Sequence, residues 1–267
     1  MNGLPMTRLQ RVVLSIALCT LSSACGESGD GDVELGPSTG GCPDIGGSMV
    51  RMPEGFCMDR TEVTRGAYFS WLESEPGVDT QSTACESNDD YLPTCLTTGG
   101  WGLDRYLENP VGCVDWCDAK AFCEAHEKRL CGAIDGGPSP MDDYDNAASN
   151  EWFAACSGGG ENDYVYGDAY QAHECYESPV EGWGSTEVAR LAGCTSPSSE
   201  HTGVYDLGGN VAEWEDSCDA ENDIARCRIR GGSFKHNANG IRCDAGSTLS
   251  LSRLSTDDAV GFRCCAN

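Results

Sequence analysis

The stretch that decides the fold is VYDLGGNVAEWEDSC, residues 204–218. Three shorter stretches follow it in order: RIRGGSF at 228–234, RC at 242–243 and VGFRCC at 260–265. Between the first two of these lies KHNANGI, residues 235–241, which contains no cysteine. Each motif alone is weak evidence, whereas an ordered set is strong evidence for one fold. The sequence therefore says more about fold than about activity.

Cysteine content decides the compartment. The chain has 267 residues and 18 cysteines, a number that is rare in cytosolic proteins. Zinc clusters use tight CxxC pairs, but three residues separate Cys113 from Cys117 and no histidine follows at zinc spacing. The cysteines therefore predict a disulfide framework in an oxidising compartment, on a chain long enough for one large domain or two small ones.

The net charge of −26 excludes a nucleic-acid partner, because such partners require a basic face. Two explanations of the acidity stay open. The carboxylates either keep the surface solvated, or some of them bind divalent cations.

The N-terminus reads as an export signal. Arg8 and Arg11 precede an apolar run at residues 12–21, which is too short to span a bilayer. We predict a signal peptide over 1–24 and a lipid anchor on Cys25, since small residues precede this cysteine as in a bacterial lipobox. The alternative is cleavage after Ala24 without a lipid. Either way the protein is exported, to the outer membrane, the periplasm or the medium, and meets a membrane only through the anchor.

Cys19 leaves with the signal peptide and Cys25 accepts the lipid, which leaves sixteen cysteines, enough for eight bridges. Residues 25–41 are rich in Gly, Ser and Asp and predict a flexible tether. A single domain is expected over 42–267.

Secondary structure is expected to be sparse. A short strand is predicted within 56–64, and a helix over Arg65–Glu73 with Thr64 as its N-cap. Further helices are predicted over Asp118–Lys128 and Glu151–Cys156, and the remaining strands must be short because Gly, Pro and Asp recur.

Seven motifs in order resemble those of the formylglycine-generating enzyme family, also called sulfatase-modifying factor domains. They are MDRTEVT (58–64), PVGCVDW (110–116) with AKAFC (119–123), KRL (128–130) with EWFAAC (151–156), YVYG (164–167), GNVAEW (209–214), RGGSF (230–234) and GFRC (261–264). The resemblance runs from about residue 48 to the end. It implies an α+β, modified C-type-lectin-like fold that is loop-rich, low in regular secondary structure and stapled by disulfides.

The resemblance also implies an activity that this chain lacks the residues to perform. The family's enzymes oxidise a protein cysteine to formylglycine with oxygen and a copper ion held by two cysteines, since thiolates suit Cu(I). Here the first of these positions falls near His236, and the second near Gly240 or Ile241. We therefore expect no copper cofactor and no such activity. His236 is a weak candidate ligand through its imidazole, and the alternative is an exposed loop histidine.

A calcium site is predicted in the opening stretch. Asp206 and Glu213 bracket a glycine-rich turn, and the carbonyls of Gly209 and Val211 complete a set of hard oxygen ligands. The resemblance implies a structural calcium site at these positions. The alternative is that the same residues cap a turn and hydrogen-bond locally.

The resemblance implies two disulfides, Cys123 with Cys264 and Cys156 with Cys243. Proximity in sequence suggests four more: Cys42–Cys57, Cys85–Cys95, Cys175–Cys194 and Cys218–Cys227. Cys113, Cys117, Cys131 and Cys265 are left unassigned.

Buried ion pairs and a tryptophan core are also expected. In so acidic a chain, three arginines in or beside glycine-rich turns should pair with carboxylates: Arg230, Arg242 and Arg263. The core should hold Trp116, Trp152 and Trp214, whereas Trp101 and Trp183 are candidates for exposed ligand contacts.

Two functional hypotheses follow. The first is a non-catalytic, calcium-stabilised binding or structural module at the bacterial cell envelope, whose partner is a protein, a peptide or a glycan. The alternative is an active oxidase of protein cysteine with an altered active site around His236.

Overall fold

The structure is a computed structural model that describes residues 35–97, 106–178, 184–245 and 249–267. The predicted signal peptide, Cys25, Trp101 and Trp183 lie outside these ranges. Within them, no helix combines the length and the apolar character that a bilayer crossing needs.

Regular elements are short, as predicted for this fold. The helices are α1 (Arg65–Leu72), α2 (Thr94–Thr97), α3 (Trp116–Ala125) and α4 (Glu151–Ser157). The strands are β1 (Met49–Arg51), β2 (Cys57–Asp59), β3 (Arg129–Leu130), β4 (Ala212–Cys218), β5 (Arg226–Arg230), β6 (Ser250–Ser252), β7 (Val260–Gly261) and β8 (Cys264–Ala266).

Two four-stranded sheets organise the domain. The first has the order β1-β2-β8-β3 and is antiparallel throughout. The second has the order β6-β5-β4-β7, in which β4 and β7 run parallel. Because β7 belongs to one sheet and β8 to the other, the two residues between them join the sheets. One of these two residues is Arg263.

Side-chain caps set the helix starts. The Thr64 hydroxyl accepts from the Ala67 N–H at 3.2 Å, which confirms the predicted start of α1. Helix α3 begins two residues before its predicted start, because Asp115 and Asp118 form a reciprocal capping box. It also ends earlier than predicted, since Glu127 takes a left-handed backbone with φ of 58°.

The core is built on aromatic rings. Phe122 packs edge-on against Trp71 and Phe262 and stacks on Tyr68, with ring centroids 5.4–5.6 Å apart. The three tryptophans expected in the core are buried, which confirms that prediction: Trp116, Trp152 and Trp214.

Eight disulfides staple the domain. Both bridges implied by the family resemblance are present, as are three of the four suggested by proximity. The predicted Cys85–Cys95 bridge is wrong. Cys85 pairs with Cys117 and Cys95 with Cys113, and the eighth bridge joins Cys131 to Cys265. Cys85 packs against the first turn of α3, and the Thr94 N–H donates to the Cys113 carbonyl, so spatial neighbours override sequence neighbours.

The end of the predicted tether contacts the domain. The Ser38 hydroxyl accepts from the Met49 N–H at 2.8 Å, and the Thr39 N–H donates to the Met49 carbonyl at 3.0 Å. The folded unit therefore includes residues just before Cys42.

Candidate functional site

Four buried charged side chains meet where the two sheets join. Glu62 follows β2, Asp206 precedes the glycine-rich turn, Glu213 lies in β4, and Arg263 lies between β7 and β8. Their exposed fractions are only 1–3 %. We call this group the Arg263 cluster. Three carboxyl groups face one guanidinium in it, so its charge balance governs its chemistry.

Arg263 and Glu213 form the fixed pair of the cluster. The guanidinium donates two hydrogen bonds to the Glu213 carboxylate, at 2.6 and 2.8 Å, and the Trp152 Nε1–H donates a third at 2.9 Å. Arg263 also donates to the carbonyls of Asp59 and Tyr205. This confirms that Arg263 pairs with an acidic residue inside the fold. It leaves the Glu213 carboxylate largely neutralised.

Glu62 has no such compensation. No N–H or hydroxyl donor among the described residues reaches either of its oxygens. Burial raises the pKa of Glu62 well above its usual value, and the neighbouring Asp206 and Glu213 carboxylates add to this while Arg263 opposes it. Sequence reasoning missed this residue. Its signal was an acidic residue inside the MDRTEVT motif, just before an apolar valine.

The environment of Asp206 is intermediate between those of Glu213 and Glu62. Its Oδ2 accepts from the Ala189 N–H at 2.6 Å. Burial is the main cause that raises its pKa to about 6, and the Glu213 charge contributes.

The glycine-rich turn is held by distant parts of the chain. Gly209 has φ of 90°, and a Cβ there would lie 2.5 Å from the Tyr176 carbonyl oxygen, so only glycine fits. The Gly209 N–H donates to Gly231 and the Asn210 N–H to Tyr176. Val211 is buried. The turn that carries the predicted carbonyl ligands is therefore rigid.

The carboxyl groups of the cluster are of the chemical type that binds hard cations, but their oxygens do not all lie within 4.8 Å of one another. Glu62 and Asp206 offer carboxyl oxygens in excess of the single guanidinium, and such oxygens suit Ca²⁺. Glu213 contributes less to this than the sequence predicted, because its carboxylate already accepts three N–H groups. Glu62 is the added ligand candidate.

The second candidate region is the His236 loop, residues 235–241. The His236 ring lies 2.9 Å from the Ser233 hydroxyl, and its main chain bonds to Ser233 and Ser178. Burial, helped by the Lys235 charge, lowers the pKa of His236. Gly240 lies against the His236 ring and Ile241 is buried in the core. At the positions where the resemblance places the two copper ligands, the loop therefore offers one imidazole and no second ligand side chain.

Thiols are lacking in the described part of the chain, because all sixteen of its cysteines are in the eight bridges. In the described ranges, a single group of three His, Cys, Asp or Glu side chains brings its ligand atoms within 4.8 Å of one another, formed by Cys131, Glu151 and Cys265. Its two sulfurs are bonded to each other. It therefore offers no thiolate.

Comparison with known proteins agrees with these motifs. A family model described as "Sulfatase-modifying factor enzyme 1-like domain" matches residues 30–267. "Inactive C-alpha-formylglycine-generating enzyme 2" of Bos taurus is 27 % identical over 178 residues, covering 62 % of this chain and 52 % of the relative. The Mus musculus protein of the same name is 27 % identical over 181 residues, or 63 % and 52 % of the two chains.

The matched region spans about half the length of these curated relatives. Among solved structures, PvdO from Pseudomonas aeruginosa superposes with a TM-score of 0.51 at 18 % identity. It covers 79 % of this chain and 80 % of that one, and at this identity the likeness concerns the fold alone.

Proposed function

The chain belongs to the sulfatase-modifying factor enzyme 1-like family, and from this premise we propose that it is a non-catalytic member. Its role is to bind or support a protein, peptide or glycan partner at the bacterial cell envelope. One observation carries the proposal: the His236 loop holds no thiol, and every described cysteine is bridged.

The chemistry of the family explains why this observation matters. The family's enzymes oxidise a cysteine with oxygen and a Cu(I) ion, and soft ligands such as a pair of thiolates suit Cu(I). A single imidazole with a lowered pKa and a serine hydroxyl as its neighbour does not replace that pair. The two curated relatives, which are named inactive, support the same conclusion without deciding it.

An activity assay tests the proposal. The purified protein is incubated with a sulfatase-motif peptide, a copper salt and oxygen, and the peptide is analysed by mass spectrometry. We expect the peptide cysteine to stay unmodified, with an active family enzyme as the positive control. Formylglycine in the product would overturn the proposal and favour the altered-oxidase alternative.

Calcium stabilisation is the second part of the proposal. Asp206 and Glu62 would supply carboxylates, the carbonyls of Gly209 and Val211 neutral oxygens, and Glu213 its remaining lone pairs. The ion would supply the positive charge that Arg263 alone does not. The buried, uncompensated Glu62 supports this assignment.

Thermal unfolding with and without calcium measures this effect. At a calcium concentration of 100 Kd, stability should rise by about 2.7 kcal/mol over the EGTA-treated protein. Asp206→Ala should abolish the increase, whereas Asp142→Ala, an exposed acidic residue elsewhere, should retain it. If calcium stabilised both variants equally, Asp206 would not be a ligand of the ion.

Export and lipidation complete the proposal. They rest on the apolar run at 12–21, on Cys25 and on the disulfide content. Expression in a bacterial host, followed by mass spectrometry of the mature N-terminus, should find a lipid on Cys25. If Cys25 of the mature chain were unmodified, the protein would be secreted and not anchored by a lipid.

A further inference from the structure

A cavity of about 370 Å³ lies between α3 and the segment 76–91, away from both regions described above. Trp71, Tyr91 and the Cys85–Cys117 disulfide form part of its wall, with Lys120 and Glu124 of α3 also lining it. We call it the α3 cavity. Its volume lies within the range of small-molecule sites.

The walls of the α3 cavity are fixed before any ligand arrives. The Cys85–Cys117 bridge ties the 76–91 segment to α3. The Tyr68 hydroxyl donates to the Tyr91 carbonyl at 2.9 Å, and the side-chain amides of Gln81 and Asn88 bond to one another at 3.2 Å. A preorganised pocket loses little entropy on binding.

Aromatic rings and negative charge coincide in this cavity. The Trp71 and Tyr91 ring centroids are 5.0 Å apart, with planes tilted by 44°. Burial raises the pKa of Tyr91, and the carboxylates of Asp118, Glu124 and Asp115 raise it further. Of these carboxylates, Glu124 lines the cavity itself and is exposed. A carboxylate beside aromatic rings attracts cations and repels anions.

The chain already places one ammonium group at this cavity. Lys120 Nζ lies 2.7 Å from Glu124 Oε1 and 5.7 Å from the Trp116 ring centroid. Both side chains remain partly exposed, at 25 % and 55 %. A ligand cation would therefore compete with Lys120 for the Glu124 carboxylate.

We propose that the α3 cavity binds an organic cation, an ammonium or guanidinium group on a short apolar chain. The apolar chain packs on Trp71, Tyr91 and the disulfide, and the charged group lies towards Glu124. A free amine and a lysine or arginine side chain of a partner protein share this chemistry. The proposal is independent of the cation site at Asp206.

Calorimetric titration tests the ligand class on the full protein. The probes are butylammonium and butylguanidinium, with butyrate and glucose as comparisons of similar or larger size. We expect saturable binding of the two cations in the range of about 1 mM, typical of ligands with few atoms, and no binding of butyrate or glucose. Preferential binding of butyrate or glucose, or no saturable binding of either cation, would overturn the proposal.

Three variants test the location and the sign of the charge. Glu124→Gln should weaken cation binding about threefold to tenfold, because it removes the nearest carboxylate. Lys120→Gln should strengthen it, because it removes the resident competitor. Glu127→Gln, an exposed residue just past the end of α3, should leave binding unchanged. Weaker binding in Lys120→Gln, or equal losses in Glu124→Gln and Glu127→Gln, would place the ligand elsewhere.

A second titration distinguishes the sources of the cation. Capped tripeptides with a central lysine or arginine are compared with the free butyl cations. Tighter binding of a peptide identifies a protein partner, and equal or weaker binding identifies a free amine. Both results retain the organic-cation class, which the first titration decides.

Discussion

The Arg263 cluster and the His236 loop are held in opposite ways. Residues of the cluster come from positions 62, 206, 213 and 263, and all are nearly inaccessible to solvent. The His236 ring instead bonds to Ser233, three residues away, at the edge of the domain. The loop also has partners distant in sequence, since the Ser178 N–H donates to the His236 carbonyl and Lys235 pairs with Asp257 and Asp258. The difference lies in burial: the charged contacts of the cluster are buried in the frame of the fold, whereas the ion pairs of the loop are exposed. We therefore expect substitutions in the loop to cost less stability than substitutions in the cluster.

We expect the largest loss of stability for Arg263→Met. It leaves the Glu213 carboxylate buried without its guanidinium partner, and it removes the positive charge that acts on Asp206 and Glu62. Removing one partner of a buried pair costs about 3–5 kcal/mol. Urea unfolding at pH 7 measures this loss.

The matched control is Lys235→Met in the His236 loop. Lys235 pairs with Asp257 and Asp258 at side-chain exposures of 44–52 %. Exposed pairs contribute about 0–1 kcal/mol. If both variants lose the same stability, the distinction between a charged frame and a dispensable loop is wrong.

A third region sharpens the comparison, since it holds two buried carboxyl groups that form no salt bridge with an arginine of the described residues. Asp115 and Asp118 cap α3, and Asp118 also accepts from the Asn88 amide at 2.9 Å. Burial raises the pKa of Asp115 to about 6, and burial with the Asp115 charge raises that of Asp118 well above its usual value.

These shifts give a pH dependence of known sign. The pKa values of the two carboxyl groups are higher in the folded state than in the unfolded state. From about pH 4 to pH 6 and above, the native state therefore binds more protons than the unfolded state. Stability must fall as pH rises through that window. Asp118→Asn keeps one of the two acceptor oxygens and removes the charge, so it should reduce this fall, by an amount on the order of 1–2 kcal/mol.

Chemical unfolding at pH 5 and pH 7.5 in EDTA measures the effect. Asp90→Asn, an exposed neighbour of the same charge, is the control and should retain most of the fall. An unchanged pH dependence in Asp118→Asn would mean that the pair is solvated in the native state.

Local signals and the family resemblance predicted much of this molecule. Thr64 caps α1 as predicted, because a helix cap depends on residues close in sequence. The pairing of Arg263 with a carboxylate followed from the net charge of the chain. Motif order gave the fold and the bridges Cys123–Cys264 and Cys156–Cys243, whose partners are 141 and 87 residues apart.

Features that depend on tertiary packing were not predictable. Glu62 lies in a polar motif, and its burial is set by Asp206 and Glu213, more than 140 residues later. Asp115 was missed as a cap because the apolar pattern of α3 begins after it. The pairing of Cys85 with Cys117 required knowledge of how the 76–91 segment folds onto α3. For Glu62 and Cys85, a spatial neighbour far along the chain determined the outcome.

The smallest expected effect belongs to His236→Ala. The ring is half-buried and makes a single side-chain hydrogen bond, to Ser233, so the loss should be about 0.5–1 kcal/mol. Ser233→Ala should cost more, about 1–2 kcal/mol, since its fully buried hydroxyl also accepts the Lys235 N–H. Urea unfolding of both variants tests the order. If His236→Ala lost as much stability as Arg263→Met, the loop would support the fold as strongly as the Arg263 cluster does, and the distinction between the two regions would be wrong.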